Sequence, residues 1–212
     1  MMTARRWSLL RVILSLVVVV LAATGAEYTS RVRTLSGLRL DVSTPLTRPD
    51  LIDGVEIDTA FGVEVLNHHR RPFHPDGALR LHAAMGLFCT YQAASVGSTD
   101  IFYLGTSLRA YLGLSLDLGR SGRLELTPHI GVGLSYLDPD DETLDIQEPG
   151  VITEYGLRLA GLINMGDLDL GVGIAYTFWR NPNRYLTTDR QRVVIDVDQD
   201  YPSVFVTVGW HF

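Results

Sequence analysis

Downstream of Glu27, apolar and polar residues alternate with a period of two along most of the chain, and no stretch holds a helical period, so the sequence reads as strands almost throughout. The clearest run is Ile101 to Leu118. Phe102, Leu104, Leu108, Ala110, Leu112, Leu114, Leu116 and Leu118 fall on one face, and Tyr103, Gly105, Ser107, Arg109, Tyr111, Gly113, Ser115 and Asp117 on the other. The turn Gly119-Arg120-Ser121-Gly122 leads into a second alternating run, Arg123 to Leu137, and a short glycine-rich turn favours a tight hairpin. Val151 to Met165 and Leu168 to Trp179, joined at Gly166-Asp167, form another. Ser30 to Val42, Val55 to Leu66, Ala78 to Tyr91 and Ser203 to Phe212 bring the expected total to eight strands.

The connections at 119–122 and 166–167 are tight, whereas those at 138–150 and 180–202 are long, which is the pattern of an up-and-down barrel with short turns at one end. The connection at 67–77 falls on the short-turn side and is longer than that side usually holds. Alternation alone does not say which face is inside, because a soluble barrel turns its apolar face inward. Three features choose, the third being the alternating C-terminal strand. The polar face carries both signs of charge: Arg31, Arg33, Arg39, Arg80, Arg109, Arg123 and Arg158 against Asp41, Glu56, Asp58, Glu64, Asp117, Glu125, Glu154 and Asp169, with His129 among them. Aromatic residues of the apolar face gather by height. Tyr91, Phe102, Tyr136, Tyr155, Tyr176 and Phe178 lie near the long loops, and Trp210 and Phe212 lie at the opposite end of the last strand. Girdles at two levels suit a barrel whose apolar face meets lipid. The expected fold class is therefore all-β, an eight-stranded antiparallel up-and-down transmembrane β-barrel.

Ahead of the strands, Arg5, Arg6 and Arg11 precede the apolar run Val12 to Ala23 and the small residues Thr24-Gly25-Ala26, the order of a secretory signal peptide. The run is shorter than the roughly 20 residues a spanning helix needs. Residues 1–26 are read as the signal peptide, with cleavage after Ala26, and residues 27–212 as the barrel domain; the alternative is an uncleaved anchor. All 18 basic residues are arginine, and without the three leader arginines the charge is 15 minus 24, or −9, so nucleic acid is excluded as a main partner. A lone cysteine, Cys89, excludes an internal disulfide; it falls on the apolar face and reads as a small filler.

The chain closes on Val204-Phe205-Val206-Thr207-Val208-Gly209-Trp210-His211-Phe212, whose alternate residues are apolar. A terminal phenylalanine preceded by Val208 and Trp210 resembles the C-terminal assembly signal of bacterial outer-membrane barrels, over about the last nine residues. The chain is similar in size and pattern to the group formed by the OmpA transmembrane domain, OmpX and OmpW. That resemblance implies an integral outer-membrane monomer inserted by the barrel-assembly machinery, in contact with outer-membrane lipids. It would place residues 43–54, 92–100, 138–150 and 180–202 outside the cell.

A barrel of eight strands is only wide enough to be filled by side chains, so near-balanced inward charges point to a plug of ion pairs. Glycines at 105, 113, 131, 133, 156, 171 and 173 leave room for arginines to cross the lumen. The expected role is structural, or recognition through the outer loops. The alternative is an OmpW-like narrow channel for small hydrophobic molecules. A lipid-modifying enzyme comes third: Glu125, Thr127 and His129 share a face in the manner of an acyl-transfer set, but that face is the lumen, and the His-x-Ser of the deacylase barrels is missing at His211. No cofactor or metal is expected. His68, His69 and His74 read as a solvated turn beside repelling arginines, and the acidic stretches 138–142 and 196–200 lack the glycine and glutamate of a calcium loop.

Overall fold

The computed structural model describes residues 35–52, 55–73, 77–96, 99–119, 121–139, 145–146, 150–181, 184–187, 192–195 and 197–212. The signal-peptide segment, the expected strand start at Ser30, and Arg31, Arg33 and His74 lie outside them. The strands run in the order β1 (Leu35–Pro45), β2 (Asp50–Ile52), β3 (Val55–Pro72), β4 (Leu79–Val96), β5 (Thr99–Leu118), β6 (Gly122–Pro139), β7 (Asp145–Ile146), β8 (Gly150–Asn164), β9 (Leu168–Arg180), β10 (Arg184–Thr187), β11 (Arg192–Ile195) and β12 (Gln199–His211).

Eight of these are barrel staves: β1, β3, β4, β5, β6, β8, β9 and β12. Each pairs antiparallel with the next stave in chain order, and β1 also pairs with β12, from Gly37↔His211 to Pro45↔Ser203, which closes the sheet. Closure leaves no stave with an open row of N–H and C=O groups, the condition for a sheet to cross lipid. The two tight turns at one end each hold a glycine in the left-handed region, Gly119 at φ 72° and Gly166 at φ 81°, where a Cβ would be strained.

The staves are longer than the periodicity suggested. β3 continues through His68, His69, Arg70 and Arg71 to Pro72, opposite Arg80 of β4, so the doubtful 67–77 connection contracts to 73–78. The polar sequence there is stave and not loop: His68 and Arg70 face inward and are buried, while His69 and Arg71 are exposed. At the other end β4 and β5 run to Val96 and from Thr99, which reduces the expected 92–100 loop to a hairpin. The loops after β6 and β9 contain β7, β10 and β11, paired as a small three-stranded sheet.

Candidate functional site

Because strand side chains alternate, every second residue of each stave points into the lumen, and there the structure brings together three tiers. Nearest the tight turns, Arg80 pairs with Asp117 at 2.5 Å, and Arg123 bridges Asp117 at 3.2 Å and Asp169 at 2.7 Å. Asp169 also accepts from Asn164 at 2.8 Å and lies 2.6 Å from His211 Nε2.

Across the middle, Arg39 forks onto Glu125 through bonds of 2.8 and 3.1 Å. Arg109 forks onto Glu154 through Nε at 2.8 Å and Nη2 at 2.6 Å, and Ser107 donates to the same carboxylate. Arg158 donates to Asp41 and, at 3.1 Å, to Glu64, which also accepts from Tyr111 at 2.6 Å. The Arg109 guanidinium lies 3.5 Å over the Phe88 ring, and that of Arg158 4.2 Å over Phe205. Paired, forked and stacked guanidiniums are the arrangement in which buried charge is tolerable.

The tier nearest the long loops is apolar. Leu51 from the first loop and Val197 from the last turn inward onto Ile57, Tyr103, Ile152 and Trp179, all but closed to solvent. Trp179 donates to the Tyr103 hydroxyl at 2.9 Å, and the Gln92 and Gln199 amides bond to each other reciprocally at 2.9 Å. Between the middle and outer tiers lies a cavity of about 30 Å³ lined in part by Asp41, Glu64, Arg109, Arg158 and Thr177, room for roughly one water molecule.

Of the charged groups expected on the inner face, Arg39, Arg109, Glu125, His129, Glu154, Arg158 and Asp169 are buried in the lumen, and Arg80 and Asp117 are partly so. Glu56 and Asp58 are not inward; both are exposed. The register of β3 against β4 shifts between Ile57 and Thr59, and a bulge there reverses which parity points in. Ile57 takes the inward position, 2% exposed. The glycines make room, though not for arginine: a Cβ at Gly131 would stand 2.6 Å from Glu154 Oε1, at Gly105 2.8 Å from Trp179, and at Gly156 2.5 Å from His129. The His68 turn is corrected too, since His68 is buried; in the 196–200 stretch Asp198 and Asp200 are exposed as an acidic surface would be, and the residues beside them, Val197 and Gln199, are buried. Glu125, Thr127 and His129 form no acyl-transfer set. Glu125 is held by Arg39, and neither ring nitrogen of His129 has a hydrogen-bond partner among the described residues.

Sequence reasoning missed Arg70, His68, His82, Trp179 and the Gln92–Gln199 pair as lumen residues. For His68, Arg70, Gln92 and Gln199 the signal was the continued alternation of β3, β4 and β12 beyond the expected strand ends; His82 and Trp179 share the inward parity of their expected strands.

The outer face is the inverse of the lumen. Leu112, Ile130, Val132, Leu157, Ile163, Val172 and Ile174 are each 47–67% exposed, in a band bounded on the loop side by aromatic rings. Tyr155 stacks on Phe178 at 4.7 Å, Tyr176 meets Phe178 at 5.0 Å, and Tyr91 lies 5.4 Å from Phe61 and 6.3 Å from Phe102. Phe61 is an unanticipated member of this belt, and Tyr136 faces the same way. Trp210 and Phe212, 48% and 74% exposed, mark the opposite end. A soluble protein leaves apolar patches of a few hundred Å² at most and does not bury its arginines while baring its leucines. Closed staves, an apolar belt outside and ion pairs within define a transmembrane β-barrel of the outer-membrane type, in contact with lipid.

Among solved structures the chain is similar to Ail, the attachment invasion locus protein of Yersinia pestis, in complex with the heparin analogue sucrose octasulfate, at 12% identity over 84% of this chain and 99% of that one, TM-score 0.48. It is similar to the Neisserial surface protein NspA at 12% identity over 84% and 97%, TM-score 0.42. The outer-membrane protein OprG from Pseudomonas aeruginosa matches at 12% identity over 84% and 95%, TM-score 0.41. No protein-family model and no curated protein sequence matches the chain.

Proposed function

We propose that the protein is a monomeric, non-enzymatic component of the outer membrane, a closed barrel that serves as a structural or surface-recognition element through the loops beside its aromatic belt. The observation that supports this most is the filled lumen. Ion pairs occupy its middle and inner tiers, an apolar cluster closes its outer mouth, and the void between them holds about one water. Ion transport needs a continuous wet path, and acyl transfer needs a nucleophile beside a free base; ion pairs cross the described lumen, and Glu154, the carboxylate beside the Ser107 hydroxyl, is held by Arg109. Val208, Trp210 and Phe212, on the last stave, are the residues the barrel-assembly machinery would read.

The channel reading draws on the apolar mouth formed by Leu51, Ile57, Trp179 and Val197, which would suit a small hydrophobic molecule. Its floor is the Arg109–Glu154 pair and the neighbouring charges, a poor continuation for such a cargo. Single-channel recording of the refolded protein in planar bilayers separates the readings. Silence is the expected result; discrete, reproducible openings would overturn the closed-barrel proposal. Release of fatty acid from labelled outer-membrane lipid would overturn its non-enzymatic part.

A further inference from the structure

Every buried arginine of the lumen except one has a carboxylate of its own among the described residues. Arg39 has Glu125, Arg109 has Glu154, Arg123 has Asp169 and Arg158 has Asp41. The exception is Arg70, wholly buried on β3. Its nearest carboxylate oxygen, Asp169 Oδ2, is 3.6 Å away and already serves Arg123 at 2.7 Å and His211 at 2.6 Å. Arg70 Nη2 reaches the His211 ring at 3.2 Å, but its Nε and Nη1 have no hydrogen-bond partner among the described residues. Among the described residues of this inner tier Arg70, Arg80 and Arg123 face Asp117 and Asp169, three cations against two anions. The middle tier has the converse balance, and there the extra carboxylate, Glu64, is satisfied by Arg158 and Tyr111.

Other unpartnered polar groups lie close to Arg70. His82 stands directly opposite it in the β3–β4 register, and the His68 ring lies 5.8 Å from that of His82. Both rings are nine-tenths buried or more, and neither has a hydrogen-bond partner on either nitrogen among the described residues. Beyond His82 the register continues to Gly113, which has no side chain, and the next inward residue of β5, Ser115, which stands opposite Arg80, has a buried hydroxyl with no partner among the described residues. An imidazole keeps at least one N–H donor in either protonation state, and a guanidinium offers donors only. Buried donors gathered around an unneutralised cation are the surroundings of an anion.

We infer that the inner half of the lumen binds one small monovalent anion of halide size, held by Arg70 Nε or Nη1 with His68, His82 and Ser115 as the surrounding donors. One negative charge balances the tier. Glu125 bounds the site, its Oε2 lying 3.9 Å from His82 Nδ1, and both of its oxygens are already engaged by Arg39. A monovalent halide matches a single excess cation, which a multivalent oxyanion would over-neutralise.

Bromide is the probe. Crystals of the refolded full barrel grown in sodium bromide, with diffraction recorded at the bromine edge, are expected to show an anomalous peak bounded by Arg70, His68 and His82, and the peak is expected to vanish in Arg70→Met. Ordered water without anomalous signal at that position, or a peak that persists in Arg70→Met, would overturn the inference. Thermal unfolding in detergent supplies a second measurement. Replacing chloride by gluconate at equal ionic strength is expected to lower the midpoint of the parent but not that of His82→Phe, which fills the space and removes a donor, because a ligand that binds only the folded state raises its stability. Equal midpoints of the parent in the two salts would count against the site. Neither readout depends on whether the barrel conducts or recognises a partner.

Discussion

Replacing Arg109 by methionine removes the cation that holds the middle tier together. Arg109 meets Glu154 through two bonds of 2.8 and 2.6 Å, approaches Glu64 at 3.4 Å and lies 3.5 Å over the Phe88 ring. Without it Glu154 keeps, among the described residues, the Ser107 hydroxyl alone, in a site 3% exposed, whereas Glu64 still has Arg158 and Tyr111. Stranding one member of a buried pair costs about 3–5 kcal/mol, and the lost guanidinium–ring contact adds up to about 2 kcal/mol. The single variant is thus expected to lose about 3–7 kcal/mol. Adding Glu154→Met removes the stranded charge and replaces the pair by apolar volume, which is often neutral, so the double variant is expected within about 2 kcal/mol of the parent. Denaturant unfolding of the protein refolded into phospholipid vesicles, followed by tryptophan fluorescence and extrapolated linearly, gives both numbers. A loss below about 1 kcal/mol in Arg109→Met, or a double variant no better than the single one, would refute the view that the lumen is closed by specific ion pairs.

Three further outcomes follow from the same geometry. Leu112→Arg, 61% exposed in the lipid-facing band, is expected to cost about 2–4 kcal/mol in the same assay, while Glu56→Arg at the exposed rim changes stability by less than about 0.5 kcal/mol. Gly131→Ala, whose Cβ would stand 2.6 Å from Glu154 Oε1, is expected to lose about 1–3 kcal/mol, whereas Gly161→Ala, with nothing within 4 Å, is expected to gain about 0.4–1 kcal/mol. Removal of Phe212, 74% exposed at the end of the last stave, is expected to slow assembly in cells, read as loss of the heat-modifiable folded band on gels, and to leave refolding in detergent unchanged.

How far this molecule is legible in its sequence depends on whether a feature is local. Alternation is local, so the eight staves and the sign of each face could be read from Leu112 beside Arg109 or Ile130 beside His129. Strand ends were misplaced at His68 and Gln92 because the reading took polar residues as loop, and in a barrel whose polar face is inside, an inward His68 or Gln92 is stave. Parity fails wherever one residue is added: the shift between Ile57 and Thr59 turns Glu56 and Asp58 outward, and no composition cue marks it. Partnership across the lumen is not local at all. Arg39 meets Glu125 across 86 positions, and Arg158 meets Asp41 across 117, because the stagger of the closed sheet sets which residues share a level. Leu51 and Val197 had no periodic neighbours to announce them, yet together they cover the mouth. The sequence could therefore show that charge is enclosed, while the pairing that makes the enclosure tolerable, and the poor pairing of Arg70 among the described residues, became visible only once the staves were set in register.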